Sequence, residues 1–144
     1  MESTLEILNE MESAGLVKRH AMSPPVSGLL TLTPVYDFLK ARGATERREH
    51  LLLAGTLLQV IPAYDALTEE AVQQSVERRV GQTPTRVMRV EHLIAIALKT
   101  GRAKDYARVA LLLEEADVDT ALLVDILQRH DLIEKWNQFK NAKQ

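Results

Sequence analysis

A chain of 144 residues, 46% of them hydrophobic, is the size of one ordinary domain and can bury a core without a disulfide or a structural metal. It has no cysteine, which excludes thiolate catalysis and cysteine-ligated zinc or iron–sulfur centres and fits a reducing cytoplasm. Eighteen basic residues against 20 acidic ones give a formal net charge of −2, so no overall field draws in nucleic acid or a membrane surface, and any anion site must be local. No run approaches the ~18 apolar residues of a membrane span, so a cytoplasmic protein is expected.

Ser3 followed by Glu6 has the spacing of a capping box, and Leu5, Leu8 and Met11 recur at helical intervals. A first helix is therefore expected from about Thr4 to Ala14, ended by Gly15. Leu16 to Met22 reads as a short strand. Ser23-Pro24-Pro25-Val26-Ser27-Gly28 has no period and two consecutive prolines, and reads as a loop. Thr33-Pro34 supplies an N-cap and a first-turn proline for a helix with Val35, Phe38 and Leu39 on its apolar face, closed by Gly43. Leu51 to Leu53 and Leu57 to Ile61, split by Ala54-Gly55-Thr56 and stopped by Pro62, predict a hairpin of buried strands. Thr68 is expected to cap a short helix running to about Gln74. Val76 to Val80 and Thr85 to Val90 predict a second strand pair around Gly81-Gln82-Thr83-Pro84. From Val90 the period changes to 3.6, with helices expected near 90–100, 103–116, 119–129 and 131–140. The fold class is thus α/β (α+β): a small mixed sheet followed by a C-terminal helical bundle. It reads as one domain over 1–144, with a mixed half at 1–89 and a helical half at 90–144.

The residues offer few centres for chemistry. Arg102, Lys104 and Asp105 fall where one helix ends and the next begins, so two cations and the free N–H groups of a helix start converge on one space, which suits a phosphate. The same residues are also what two helix ends require: Lys99 and Arg102 against the negative end of one, Asp105 against the positive end of the next. Asp117-Val118-Asp119 has the spacing of a metal-holding carboxylate pair, but it lies between helices, and Asp119 before Thr120 reads as an N-cap. His20, His50, His92 and His130 share no spacing that would hold zinc, so no metal ligand is assigned. Glu91 meets the positive end of its helix, and His92 is expected to be solvated or hydrogen-bonded nearby. The isolated glycines exclude phosphate-binding loops of the Walker and Rossmann types, and no Gly-x-Ser-x-Gly elbow is present. Arg47-Arg48 and Arg78-Arg79 read as solvated basic pairs, and Trp136 with Phe139 as the apolar face of the last helix.

Several segments between Leu29 and Phe139 together resemble small bacterial nucleotidyltransferases of the abortive-infection and toxin–antitoxin type. They are the Leu32-Thr33-Pro34 helix start, Leu58-Gln59-Val60-Ile61-Pro62-Ala63-Tyr64, Leu67 to Val72, Arg86-Val87-Met88, and Glu91-His92 through the Gly101-Arg102-Ala103-Lys104-Asp105 turn. Asp117-Val118-Asp119, Leu127, Arg129-His130 and Lys135-Trp136 extend the likeness, and residues 1–22 resemble the family's opening helix and strand. The family places its defining site next, a Gly-Gly or Gly-Ser turn and a strand bearing Asp-x-Asp. Here Ala21-Met22 passes directly into Ser23-Pro24-Pro25, and Gln59 stands where the resemblance implies a third carboxylate.

The resemblance implies nucleotidyltransferase ancestry without catalysis, because nucleotidyl transfer needs metal ions held by carboxylates. No catalytic residue is assigned, and no cofactor is expected; magnesium and a nucleoside triphosphate would belong to an intact family member. Arg102, Lys104 and Asp105 carry over as nucleotide or phosphate contacts. The alternative is a protein-interaction module, an antitoxin-like partner. A sheet that lacks a central strand exposes edges that seek pairing, so a homodimer or a cognate protein partner is expected through Leu16 to Met22 or Leu51 to Ile61.

Overall fold

The computed structural model describes residues 3–13, 25–26 and 33–142, as two compact units, 1–88 and 89–144. The first unit is mixed. Helix α1 (Thr4–Ser13) begins with the expected reciprocal cap: the Ser3 N–H donates to Glu6 Oε2 at 2.7 Å and the Glu6 N–H to Ser3 Oγ at 3.3 Å. Its buried face is rotated from the expected one. Thr4 and Ile7 are buried with the expected Met11, while Leu8 packs against the core only partly buried; the Thr4 hydroxyl donates to the Leu53 carbonyl at 2.9 Å and helps to fix the helix about its axis. Helix α2 (Thr33–Ala41) closes as the sequence requires, with the Gly43 N–H on Lys40 O and the Ala44 N–H on Leu39 O, both at 3.0 Å, a Schellman pattern that also buries Leu39 and Ala44.

Among the described residues the strands form three separate sheets, where one small mixed sheet was expected. Strand β1 (Pro25–Val26), which the sequence read as loop, pairs in parallel with β5 (Ile61–Pro62). A proline can still supply its carbonyl to a parallel ladder, and both strands are only two residues long. Strands β2 (Thr45–Arg47), β3 (His50–Leu53) and β4 (Thr56–Leu58) make an antiparallel sheet in that order. Strand β2 was missed, since Thr45-Glu46-Arg47 is exposed throughout and shows no apolar alternation. The β3–β4 hairpin was expected: Leu51 and Leu53 of β3 enter the core and Leu58 of β4 packs against it, while Leu57 stays 61% exposed. Strands β6 (Val76–Val80) and β7 (Thr83–Val87) form the second expected hairpin, with Gly81-Gln82 alone as its turn and Pro84 inside β7. Asn9 of α1 donates to the Pro84 carbonyl at 2.8 Å, and Glu12 pairs with Arg86.

Helix α3 (Ala66–Gln73) starts one turn before the expected cap. Asp65, not Thr68, is its N-cap: Asp65 Oδ1 accepts from the Thr68 N–H at 2.8 Å, and Thr68 Oγ1 accepts from the Asp65 N–H at 3.1 Å. The core of this unit gathers Ile7, Met11, Val35, Leu39, Ala44, Leu51, Leu53 and Val60. The predicted strand at Leu16 to Met22 and the helix stop at Gly15 lie outside the described residues.

The second unit is all helical: α4 (Val90–Thr100), α5 (Ala103–Glu115), α6 (Thr120–Arg129) and α7 (Ile133–Ala142). Each falls within a few residues of its expected span. Helix α4 is central and packs against the other three, burying Ile94, Ala95, Ala97 and Leu98. Val109 of α5, Leu123, Ile126 and Leu127 of α6, and Trp136 and Phe139 of α7 complete the core. The last two rings stack with centroids 6.0 Å apart, and Tyr106 of α5 lies 6.1 Å from Phe139. Among the described residues, no helix is long and apolar enough to cross a membrane.

Candidate functional site at the α4–α5 turn

The Gly101-to-Asp105 turn is built by two helix ends meeting head to tail. Gly101 takes the left-handed conformation, φ 69° and ψ 22°, and its N–H closes α4 on the Ala97 carbonyl at 2.9 Å. The positive φ favours glycine there, and a Cβ would also crowd the Tyr106 hydroxyl at 3.3 Å. Lys135 of α7 approaches from the other side and donates from Nζ to the Lys99 carbonyl at 3.2 Å, so a cation covers the negative end of α4.

Arg102 is the N-cap residue of α5, with extended backbone. Its guanidinium binds Asp105 in a fork, Nε to Oδ2 at 2.7 Å and Nη2 to Oδ1 at 3.3 Å, and its backbone N–H donates to the same Oδ2 at 3.1 Å. Asp105 is 2% exposed, whereas the Arg102 side chain is half in solvent. The hydrogen bond from Arg102 holds the Asp105 carboxyl below its usual value against the opposing effect of burial, and the same bond raises Arg102 above its own. Asp105 therefore acts inward, as the residue that fixes the turn.

Lys104 is exposed and, among the described residues, has no acidic partner. The N–H groups of Ala103 and Lys104 belong to the first turn of α5, which has no preceding helical carbonyl to bond them. The Arg102–Asp105 pair is neutral as a whole, so Lys104 and Lys135 set the sign of the surroundings. Chemically, the turn can accept an anion on the Lys104 ammonium and first-turn N–H groups.

The other sequence candidates are dispersed. Asp119 caps α6, its Oδ1 accepting from the Leu122 N–H at 3.0 Å, as the sequence indicated. Glu91 does more than meet a helix dipole: it is buried, and its Oε1 accepts from the Asp119 N–H at 2.8 Å, tying the start of α4 to the start of α6. His92, expected to be solvated or hydrogen-bonded nearby, is not solvated: it is 0% exposed, the third residue of α4, which packs against the other three helices. Two adjacent polar residues gave no sign of that. Arg47-Arg48 and Arg78-Arg79 are exposed, as their reading as solvated faces required. No group of three or more metal-ligating side chains forms among the described residues. No family model matches the chain, and no curated protein does.

Proposed function

We propose that this chain is a nucleotidyltransferase-like protein that transfers no nucleotide and keeps a weak phosphate contact at the α4–α5 turn, through Lys104, Arg102 and the first-turn N–H groups, with Asp105 holding Arg102 in place. The observation that carries the loss of transfer is the distribution of carboxylates. Among the described residues, acids do not converge. Asp105 is committed to Arg102, and Asp119 and Glu91 to backbone N–H groups. Outside the described residues the sequence holds one acidic side chain, Glu2. A triphosphate needs metal ions to neutralise it and align its attack, and metal ions of that kind need several carboxylate oxygens at one point. The phosphate contact rests on the resemblance and on the exposure of Lys104 beside a helix start.

Labelled nucleoside triphosphates supplied with magnesium or manganese, with protein and tRNA as acceptors, test the loss of transfer. The expected result is no incorporation. Label that survives repurification and falls in Lys104→Ala would overturn it. A second reading, an interaction module, is favoured by the exposed Leu57 on the edge strand β4.

A further inference from the structure

Two surfaces of this chain carry large exposed apolar side chains with opposite charges around them. On the outer face of the β2–β3–β4 sheet, Leu57 is 61% exposed and stands directly opposite the half-buried Leu52. On the same face, one step along the strands, Arg47 stands opposite His50, and Arg48 occupies the adjoining turn. Lys40 and Glu46 neutralise one another at 2.6 Å, and Glu49 of the same turn lies 3.6 Å from His50, so with His50 neutral Arg47 and Arg48 leave a surplus of one positive charge, neither arginine having an acidic partner among the described residues. Arg48 also holds a positive φ of 58°, a conformation that costs a non-glycine residue free energy and fixes where its side chain departs.

The second surface is the C-terminal end of α5. Leu111 is 51% exposed, and Glu114 and Glu115 follow it by three and four residues, on the same helical face. Asp117 extends the acidic edge just past the helix. Among the described residues, none of these three acids has a basic partner. The two patches match in scale. On the sheet the apolar pair and the arginine row are about 7 Å apart, two residues along a strand, and on the helix Leu111 and its glutamates are about 5–6 Å apart.

We propose that the occupant of the sheet face is a second copy of this chain: Leu111 of one copy sits on Leu52 and Leu57 of the other, and Glu114 and Glu115 meet Arg47 and Arg48. Each copy carries both patches, so each can offer its helix end and receive another's on its sheet. The charges choose the partner and its register, and burial of the leucines supplies the attraction. The pairing uses a face of the Leu51 to Ile61 segment, where the sequence placed an interface, and sets a C-terminal helix against it. The proposal does not depend on phosphate binding.

Sedimentation and light scattering on the full chain test it, using two charge-reversed variants, Arg47→Glu/Arg48→Asp and Glu114→Lys/Glu115→Lys. All four positions are exposed, so circular dichroism should show both variants folded. The wild type should dimerise with concentration, each variant alone should raise the dimer Kd at least about tenfold, and an equimolar mixture should restore dimers, since both contacts are then complementary. Leu57→Asp should weaken wild-type dimers without being rescued by either charge variant. A wild type monomeric at every concentration, a dimer indifferent to the reversals, or a mixture no better than its components would each overturn the proposal.

Discussion

The Arg102 guanidinium and the Asp105 carboxylate form a two-point pair three residues apart, with Nε to Oδ2 at 2.7 Å, and the same oxygen accepts the Arg102 backbone N–H. The cap, the ion pair and the turn are therefore one device. Asp105 titrates below its ordinary value in the folded chain, so ionisation favours folding above the ordinary carboxylate pKa, and that contribution fades as pH falls through the lowered folded value. We predict that Asp105→Ala costs about 1–2 kcal/mol near neutral pH, from the lost cap and charged hydrogen bonds. Its deficit relative to wild type should shrink on acidification, read from urea midpoints across the acid range.

Asp119 and Glu91 form a second linked pair, in which the Asp119 side chain caps α6 and its N–H donates to Glu91. Asp119→Ala should cost about 1 kcal/mol, typical for a lost N-cap. Glu91→Ala should cost about 1–3 kcal/mol, since it strips a buried acceptor from that N–H. Glu91→Gln should retain most of the stability, as its amide oxygen can still accept. Equal losses in Gln and Ala variants, measured by chemical denaturation, would show that the hydrogen bond to Asp119 is not what Glu91 supplies.

The β3–β4 turn places Ala54 at φ 49° and Gly55 at φ 80°, both positive as a two-residue type I′ hairpin requires. Alanine is strained there. Ala54→Gly or Ala54→Asn should raise stability by about 0.5–1 kcal/mol, observable as a higher melting temperature with the hairpin's amide protection unchanged.

Trp136 is the one tryptophan of the chain and is buried against Phe139. Its fluorescence should therefore report unfolding of the helical unit specifically. Phe139→Ala should cost about 3–5 kcal/mol and red-shift the emission at lower urea concentrations than in the wild type.

What was legible in the sequence follows the strength of local signals. The four C-terminal helices could be read because a 3.6-residue period is punctuated by Gly101, whose lack of a Cβ admits the left-handed turn that ends α4, and by Asp119, whose carboxylate caps α6. The hairpins could be read from Ala54-Gly55 and Gly81-Gln82. Strand β2 could not, because its pairing partner rather than its composition makes it a strand. Pro25-Val26 and Ile61-Pro62 form a parallel pair across 34 intervening residues, from Ile61 back past Val26, with no local trace of the contact. At the candidate site, the i to i+3 spacing of Arg102 and Asp105 was visible, while the near-complete burial of Asp105 comes from packing that the sequence does not display. Thr68 was mistaken for a cap because Asp65, three residues earlier, has equal capping chemistry and a partner in Thr68 itself.

The central claim, a phosphate contact without metal-dependent transfer, is tested most directly by calorimetric titration of ATP into wild-type protein and Lys104→Ala, with and without magnesium. We predict weak binding that is no stronger with magnesium and is reduced about tenfold in Lys104→Ala, the scale of one charge-assisted hydrogen bond. Binding that requires magnesium, or that is unchanged in Lys104→Ala, would contradict it, as would a wild-type protein that binds no nucleotide at millimolar concentration.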